Sequence, residues 1–190
     1  MLELGAGPQW NQGASARTFR DYLPADSEIY VVDISSECLE PLNNIDNVIT
    51  ILADLGSTEE FQKIHQYGPF DFIIDDASHQ WKHQTDSVSW LWPALSQWGV
   101  FIVEDIQTSF GYDREHHNPH GLPSDRDFYS CILSLLSSYV GRSLFHPIQE
   151  SLPSNPFESN ILGHLSSISF IPGAAILQKG SNENPYLHYH

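Results

Sequence analysis

Two acidic pairs stand where they could act together: Asp75 and Asp76 in IIDDASH, Ile73 to His79, and Glu104 and Asp105 in FIVEDIQTS, Phe101 to Ser109. Each pair ends a short, apolar, β-branched run, which is how a buried parallel strand looks where it leaves its sheet for solvent. Neighbouring strands lie about 4.8 Å apart, so adjacency would crowd these carboxylates on one lip. Charges that close must be neutralised, either by protonation, which raises a carboxyl pKa, or by a bound divalent cation. The donors are hard oxygens, which favours magnesium, manganese or calcium over zinc, and a few carboxylates completed by water suit magnesium. Asp76, Glu104 and Asp105 are the expected ligands, whereas Asp75 is expected to turn away, to solvent or to the first turn of the next helix. His79 follows in the turn after Asp76 and is the titratable base placed to face the same crevice. A neutral imidazole there can take a proton from a hydroxyl within hydrogen-bond reach. The competing reading of His79 is purely structural, and its place beside the candidate cation favours the functional one.

The elements that must position these groups alternate strand and helix. MLEL, Met1 to Leu4, reads as a strand running into Gly5, Gly7 and Gly13, followed by a helix over Ala14 to Leu23. SEIYVVDIS reads as a second strand carrying Asp33 near its end, and NVITILAD as a third ending in Asp54, so each strand delivers an acid at or near one edge. Ser57 and Glu60 have the spacing of a capping box before a helix containing Phe61 and Ile64. After the fourth strand, Phe70 to Asp75, the apolar period predicts a helix from Lys82 to Trp98 with Gly99 as its stop. Trp90, Trp92 and Trp98 then read as core rather than as an aromatic ligand cage. A fifth strand, Gly99 to Glu104, leads through a long loop to a helix that Ser124 or Asp127 could cap, with Phe128, Ile132, Leu135, Leu136 and Tyr139 on one side. His116, His117 and His120 in that loop read as exposed, mobile chain in preference to a zinc site. Ser143 to Gly163 reads as irregular surface, and SSISFIPGAAILQKG as a hairpin about Pro172 and Gly173 that closes one edge. Open α/β sheets bind ligands beyond the carboxyl ends of their strands, where all these acids fall.

Composition narrows the classes. With 24 acidic and 8 basic residues the formal charge is −16, which repels phosphate backbones and anionic lipid, so neither nucleic acid nor membrane is expected as a partner. Cys38 and Cys131 are too few for a disulfide framework, and no long apolar span or signal run appears, which points to a reduced, cytoplasmic protein. One domain is expected over residues 1–180, with 181–190 as a tail.

The glycine turn decides which cofactor the fold would hold. Gly5, Gly7 and Gly13 do not match the dinucleotide fingerprint, which weakens a nicotinamide dehydrogenase. Instead E-L-G-A-G, Glu3 to Gly7, with Asp33 at the end of the next strand, resembles the first motif of class I S-adenosylmethionine-dependent methyltransferases; a tight turn without a ligand is the bland alternative. The resemblance implies that Asp33 holds the cofactor ribose and Asp54 its adenine amine, with Glu3, Gly5, Gly7 and Asp75 on the cofactor side. A carboxylate suits both tasks because it only accepts hydrogen bonds. Either Asp33 or Asp54 could instead cap a helix.

IDDASH with VEDIQTS, followed by SSISF and AAILQKG, resembles the macrocin O-methyltransferase family, magnesium-dependent enzymes that methylate sugar hydroxyls on macrolide antibiotics, and the related cephalosporin hydroxylase-type proteins. The family's D-G-S-H matches Asp76 to His79, with Ala77 in the glycine position, and its E-D matches Glu104 and Asp105. The likeness covers most of the chain, is weakest between Ser109 and Gly163, and extends more loosely to catechol-type methyltransferases. It implies an α/β, Rossmann-like class I methyltransferase fold, with a mostly parallel seven-stranded sheet, an antiparallel last strand and helices on both faces. It also implies S-adenosylmethionine and magnesium as cofactors, His79 as base, and a small hydroxylated molecule as acceptor. Two departures stand out: PQWNQ lengthens the glycine loop, and Met1 falls inside the first strand, so the segment that covers the site in relatives is expected to be missing. The start is then truncated, or closure comes from a homo-oligomeric neighbour or the His116 to His120 loop. A non-catalytic cofactor-binding remnant or interaction protein is the rival expectation.

Overall fold

The computed structural model describes residues 1–7, 11, 13–143, 161–162 and 164–180. Its first strand, β1 (Leu2–Leu4), is buried at every position. It pairs in parallel with β2 (Ile29–Asp33) on one side and β4 (Phe70–Asp75) on the other. β3 (Val48–Leu52) extends the sheet beyond β2, and β5 (Leu95–Val103) extends it beyond β4, again in parallel. The hairpin of β6 (Leu165–Ile171) and β7 (Ala174–Lys179) completes it, with β7 antiparallel to both β5 and β6. The order is β3-β2-β1-β4-β5-β7-β6, so the chain reverses its direction of growth between β1 and β4. In an open α/β sheet this switch point is where a crevice opens.

Among the described residues five α-helices cover the sheet: α1 (Ala14–Tyr22), α2 (Ser36–Leu39), α3 (Thr58–His65), α4 (Trp81–Leu91) and α5 (Phe128–Ser143). Side chains alternate along each strand, and two cores result. Val31 with Ala16, Cys38 and Leu42 forms a smaller core under α1 and α2, while Val32, Phe61, Phe101, Trp92 and Phe128 belong to a larger one under α3, α4 and α5. Burying one such large side chain stabilises by roughly 1.5–3 kcal/mol, so the larger core dominates. Among the described residues no helix is long and apolar enough to cross a membrane.

Several local expectations are corrected. α4 does not reach Trp98: it ends at Leu91, a single 3-10 turn follows over Trp92–Ala94, and β5 begins at Leu95. Pro93 is the reason, because it lacks the N–H a helix needs and its ring clashes with the preceding turn. Gly99 therefore lies within β5, and Trp98 is 59% exposed with a left-handed φ of 65°. The core reading holds for Trp92, which is buried, but not for Trp90 or Trp98. The buried Lys179 ammonium donates to the carbonyls of Trp92 at 2.9 Å and Leu95 at 2.7 Å, fastening the hairpin to this turn.

Ser57 does stand at the N-cap of α3, but the reciprocal capping-box bonds are not made, since Glu60 pairs with Lys63. α5 is capped by Asp127, whose Oδ1 accepts the Ser130 N–H at 2.8 Å, while Ser124 lies in a preceding 3-10 turn. The long loop is tied down rather than free. The Trp81 N–H donates to the His117 carbonyl at 3.0 Å, the Trp81 indole donates to the Thr108 carbonyl at 3.2 Å, and the Arg114 guanidinium lies 5.1 Å from the Trp81 ring centre. The side chain of Tyr139, most of the irregular stretch from Ser143 to Gly163, the PQWNQ insertion apart from Asn11, and the 181–190 tail lie outside the described residues.

Candidate functional site

In the register of β4 with its neighbours, Asp75 is opposite both Leu4 and Val103, so the next residues leave the sheet together. The Asp76 N–H donates to the Leu4 carbonyl and the Glu104 N–H to the Asp75 carbonyl, each at 2.9 Å. Beyond these bonds the chain turns sharply at His79, φ 55°, and at Asp105, φ 53°. A left-handed conformation costs a non-glycine residue on the order of 1–3 kcal/mol and persists only where surrounding structure imposes it. The outcome is a contact: His79 Nε2 lies 3.2 Å from Asp105 Oδ2. Asp76 joins them, and one ligand atom from each of the three residues falls within 4.8 Å of the others.

The expected set of acids is rearranged in two respects. Glu104 is exposed and stands outside that group, although the charges of Asp76 and Asp105 act on it. Asp75 neither points to solvent nor caps α4. It is 3% exposed, accepts a hydrogen bond from the Ser87 hydroxyl, and receives the Ala77 N–H at 3.4 Å. Period-two alternation explains this, because Asp75 shares its strand face with core residue Ile73 and is drawn beneath α4. Burial pushes the Asp75 pKa up to about 6, against the opposing effect of the Ser87 and Ala77 bonds.

Burial is also the first cause of the raised pKa at Asp76, reinforced by Asp105 and opposed by His79. For Glu104 burial again leads, followed by Asp76 and Asp105. Glu3, on β1, is 1% exposed and does not reach the lip as an open carboxylate. One of its oxygens has no partner, and burial raises its pKa to about 7, with a Ser15 hydrogen bond lowering it and Asp76 and Glu104 adding to the rise.

These groups adjoin a cavity of about 770 Å³ at the carboxyl ends of the strands, lined by Gly5, Gly7, Asp33, Asp54, Asp76, His79 and Asp105 among others. Gly5 has φ 98°, and a Cβ there would stand 2.3 Å from the Asp76 carbonyl oxygen, so glycine lets the turn lie directly on the end of β4. Asp33 ties this turn to β2: its Oδ2 accepts the Ala6 N–H at 2.9 Å and its Oδ1 the Ser35 N–H at 2.8 Å. Asp54 is exposed and accepts the Gly56 N–H at 2.8 Å. Neither is a helix cap, since Ser35 and Ser57 hold those positions. Of the expected site residues, Glu3, Asp75 and Glu104 do not line the cavity.

Sequence reasoning passed over His83. It lines the same cavity from the first turn of α4, one helical turn beyond Gln80 and His79, and that spacing was its only signal. Trp90, Trp92 and Trp98 contribute nothing to the lining, and the loop histidines 116, 117 and 120 form no metal-holding group among the described residues.

No family model matches this chain. It is 30% identical to a mycinamicin VI 2''-O-methyltransferase from Micromonospora griseorubida and 28% identical to a demethylmacrocin O-methyltransferase from Streptomyces fradiae, in each case over 96% of this chain and 44% of the relative. The chain thus spans less than half the length of these relatives. Among solved structures, the MycE methyltransferase of the mycinamycin biosynthetic pathway, in complex with Mg and SAH, superposes with a TM-score of 0.74 at 25% identity, over 96% of this chain and 46% of that one. An O-methyltransferase from Bacillus cereus in complex with SAH shares the fold, with a TM-score of 0.56 at 15% identity over 95% of this chain and 73% of that one. The chain has the class I methyltransferase fold and resembles the macrolide sugar O-methyltransferases along nearly its whole length.

Proposed function

We propose that this chain carries the cofactor-binding and catalytic part of an S-adenosylmethionine-dependent, divalent-cation-dependent O-methyltransferase acting on a hydroxyl of a sugar or other natural product. The observation that carries this reading is the placement of Asp76, His79 and Asp105 within 4.8 Å of one another, beside a cavity whose remaining wall includes Gly5, Gly7, Asp33 and Asp54. The donor set fits a hard cation on Asp76 and Asp105, with Glu104 outside the cluster but under the influence of both their charges. Imidazole is a poor magnesium ligand, so His79 is read as base and not as ligand.

S-adenosylmethionine supplies a methyl group on a positively charged sulfur, and a bound divalent cation lowers the pKa of a hydroxyl beside it. This chain's residues do the rest. Gly5 and Gly7 keep side chains out of the turn that the cofactor approaches, and Asp33 offers acceptor oxygens to a vicinal diol. His79 Nε2, which lies against Asp105, would take up the proton that the acceptor hydroxyl gives up. Asp105, 3.2 Å away, stabilises the imidazolium that results. A second reading, a cofactor binder without turnover, draws on the exposed position of Glu104, which leaves two carboxylates at the cluster. Calorimetry with S-adenosylhomocysteine, with and without magnesium, followed by methylation assays on polyhydroxylated acceptors, tests both. Metal-dependent turnover lost in Asp76→Asn supports the enzyme; binding without turnover supports the rival; no binding overturns both.

A further inference from the structure

His83 has a geometry that the proposed chemistry does not use. Its Nδ1 lies 2.8 Å from the Ser78 hydroxyl, while its Nε2 is buried and has no hydrogen-bond partner. An orphaned buried ring nitrogen costs roughly 1–3 kcal/mol, so a partner from outside the chain would relieve it. The ring lines the cavity at the same end as Asp54. Between them lies Gly56: the point where a Cβ on Gly56 would stand is 3.1 Å from Asp54 Oδ1 and 3.5 Å from His83 Nε2. Glycine here leaves the space between the carboxylate and the imidazole open.

The hydrogen-bonding sense of each group follows from its neighbours. The Gln80 N–H approaches Ser78 Oγ at 3.4 Å, leaving the Ser78 hydroxyl proton free to go to His83 Nδ1. The ring proton then sits on the buried, unpartnered Nε2, which can act as a donor. Burial and the neighbouring His120 and Lys82 hold the ring below its usual pKa, although Asp54 and Asp86 oppose them, which favours the neutral form. Asp54 accepts and His83 donates. An aminopurine edge presents the complement, an amine donor flanked by ring-nitrogen acceptors.

We propose that His83 Nε2 donates a hydrogen bond to a ring nitrogen of the cofactor adenine, beside the amine that Asp54 accepts, so that the two residues read the base as a pair. The proposal rests on the reading of the cavity as an S-adenosylmethionine site and adds a specificity residue to it. Ser78 is then a positioning residue that fixes the tautomer.

Binding of S-adenosylhomocysteine to the full chain tests it, alongside the two deaza analogues in which one ring nitrogen next to the amine becomes C–H. The wild type should bind one analogue about 10-fold more weakly than the parent compound, the loss of one buried hydrogen bond. His83→Phe should bind the parent and that analogue alike, both near the weakened value, while His83→Gln, which keeps an N–H donor, should restore part of the difference. The proposal is overturned if the wild type binds both analogues as tightly as the parent. It is equally overturned if His83→Phe keeps the wild-type difference, or weakens all three ligands by one factor as a merely structural residue would. A wild type that binds the parent while the analogues show no pattern leaves the cofactor site standing without His83; a wild type that binds no parent compound removes both.

Discussion

His79 and Asp105 meet across the mouth of the cavity, Nε2 to Oδ2 at 3.2 Å, and both are held in left-handed backbone. Two separate turns, one after β4 and one after β5, are bent into an unfavourable conformation to make a single contact. His79→Gln should lower the methyl-transfer rate by about 100-fold or more with S-adenosylhomocysteine affinity unchanged, as single-turnover assays and calorimetry would show. His79→Gly removes the base and also the backbone strain, so its melting temperature should hold or rise while turnover is lost. A clear drop in melting temperature would mean that the ring holds the turn together.

Cation affinity should depend on pH. Asp76 and Glu104 have raised pKa values, chiefly through burial, and a cation must displace their protons. Magnesium affinity measured by calorimetry is expected to rise as pH increases from mildly acidic to mildly basic, and to lose most of this slope in Asp76→Asn. A flat profile would show that both acids are already ionised in the acidic range.

Glu3 should make the cation-free protein less stable at higher pH. Its folded pKa of about 7 exceeds the ordinary glutamate value of 4.5, so the folded chain holds the proton more tightly than the unfolded one. The associated stability is complete below the unfolded value and is lost as pH rises through the folded value. At full ionisation the loss is on the order of 3 kcal/mol. Melting curves in chelator should show Glu3→Gln gaining on the wild type between pH about 5 and about 8; parallel curves would contradict the buried, protonated acid.

Gly5→Ala places a Cβ 2.3 Å from the Asp76 carbonyl at φ 98°, so either the turn or the end of β4 must move. A cost of roughly 2 kcal/mol or more is expected, together with weaker binding of both S-adenosylhomocysteine and magnesium. Gly7→Ala meets the Asn11 carbonyl only at 3.5 Å and should be milder, with little effect on the cation. Equal losses from the two substitutions would show that backbone conformation, not the contact with Asp76, governs the site.

The strand ends were legible because a β-branched run that stops at two acids matches a buried strand leaving its sheet and little else: β4 falls on Phe70–Asp75 as read from the sequence. The orientation of each acid was not. Whether Asp75 or Asp76 faces the cavity depends on which strand face is buried, and only α4 packing over Ile73 decides that. Glu104 illustrates the same limit, since side chains leaving a strand end are no longer governed by its alternation. The end of α4 was misread because apolar spacing at Leu91, Leu95 and Trp98 outweighed Pro93, although the proline has the stronger physical veto. His83 was passed over because its value lies in an unpartnered nitrogen, which depends on three-dimensional neighbours.

The two cores also divide the site. The glycine turn and Asp33 rest on the smaller core under α1 and α2, whereas Asp76 and Asp105 extend from strands rooted in the larger one. Substitutions that soften the smaller core should therefore raise amide exchange around the glycine turn long before the acidic lip loosens. The two halves of the cavity meet where Gly5 lies on the Asp76 carbonyl and where the Asp76 N–H reaches the Leu4 carbonyl. A substitution that disturbs this backbone-to-backbone fit should therefore reach the glycine turn and the acidic lip together.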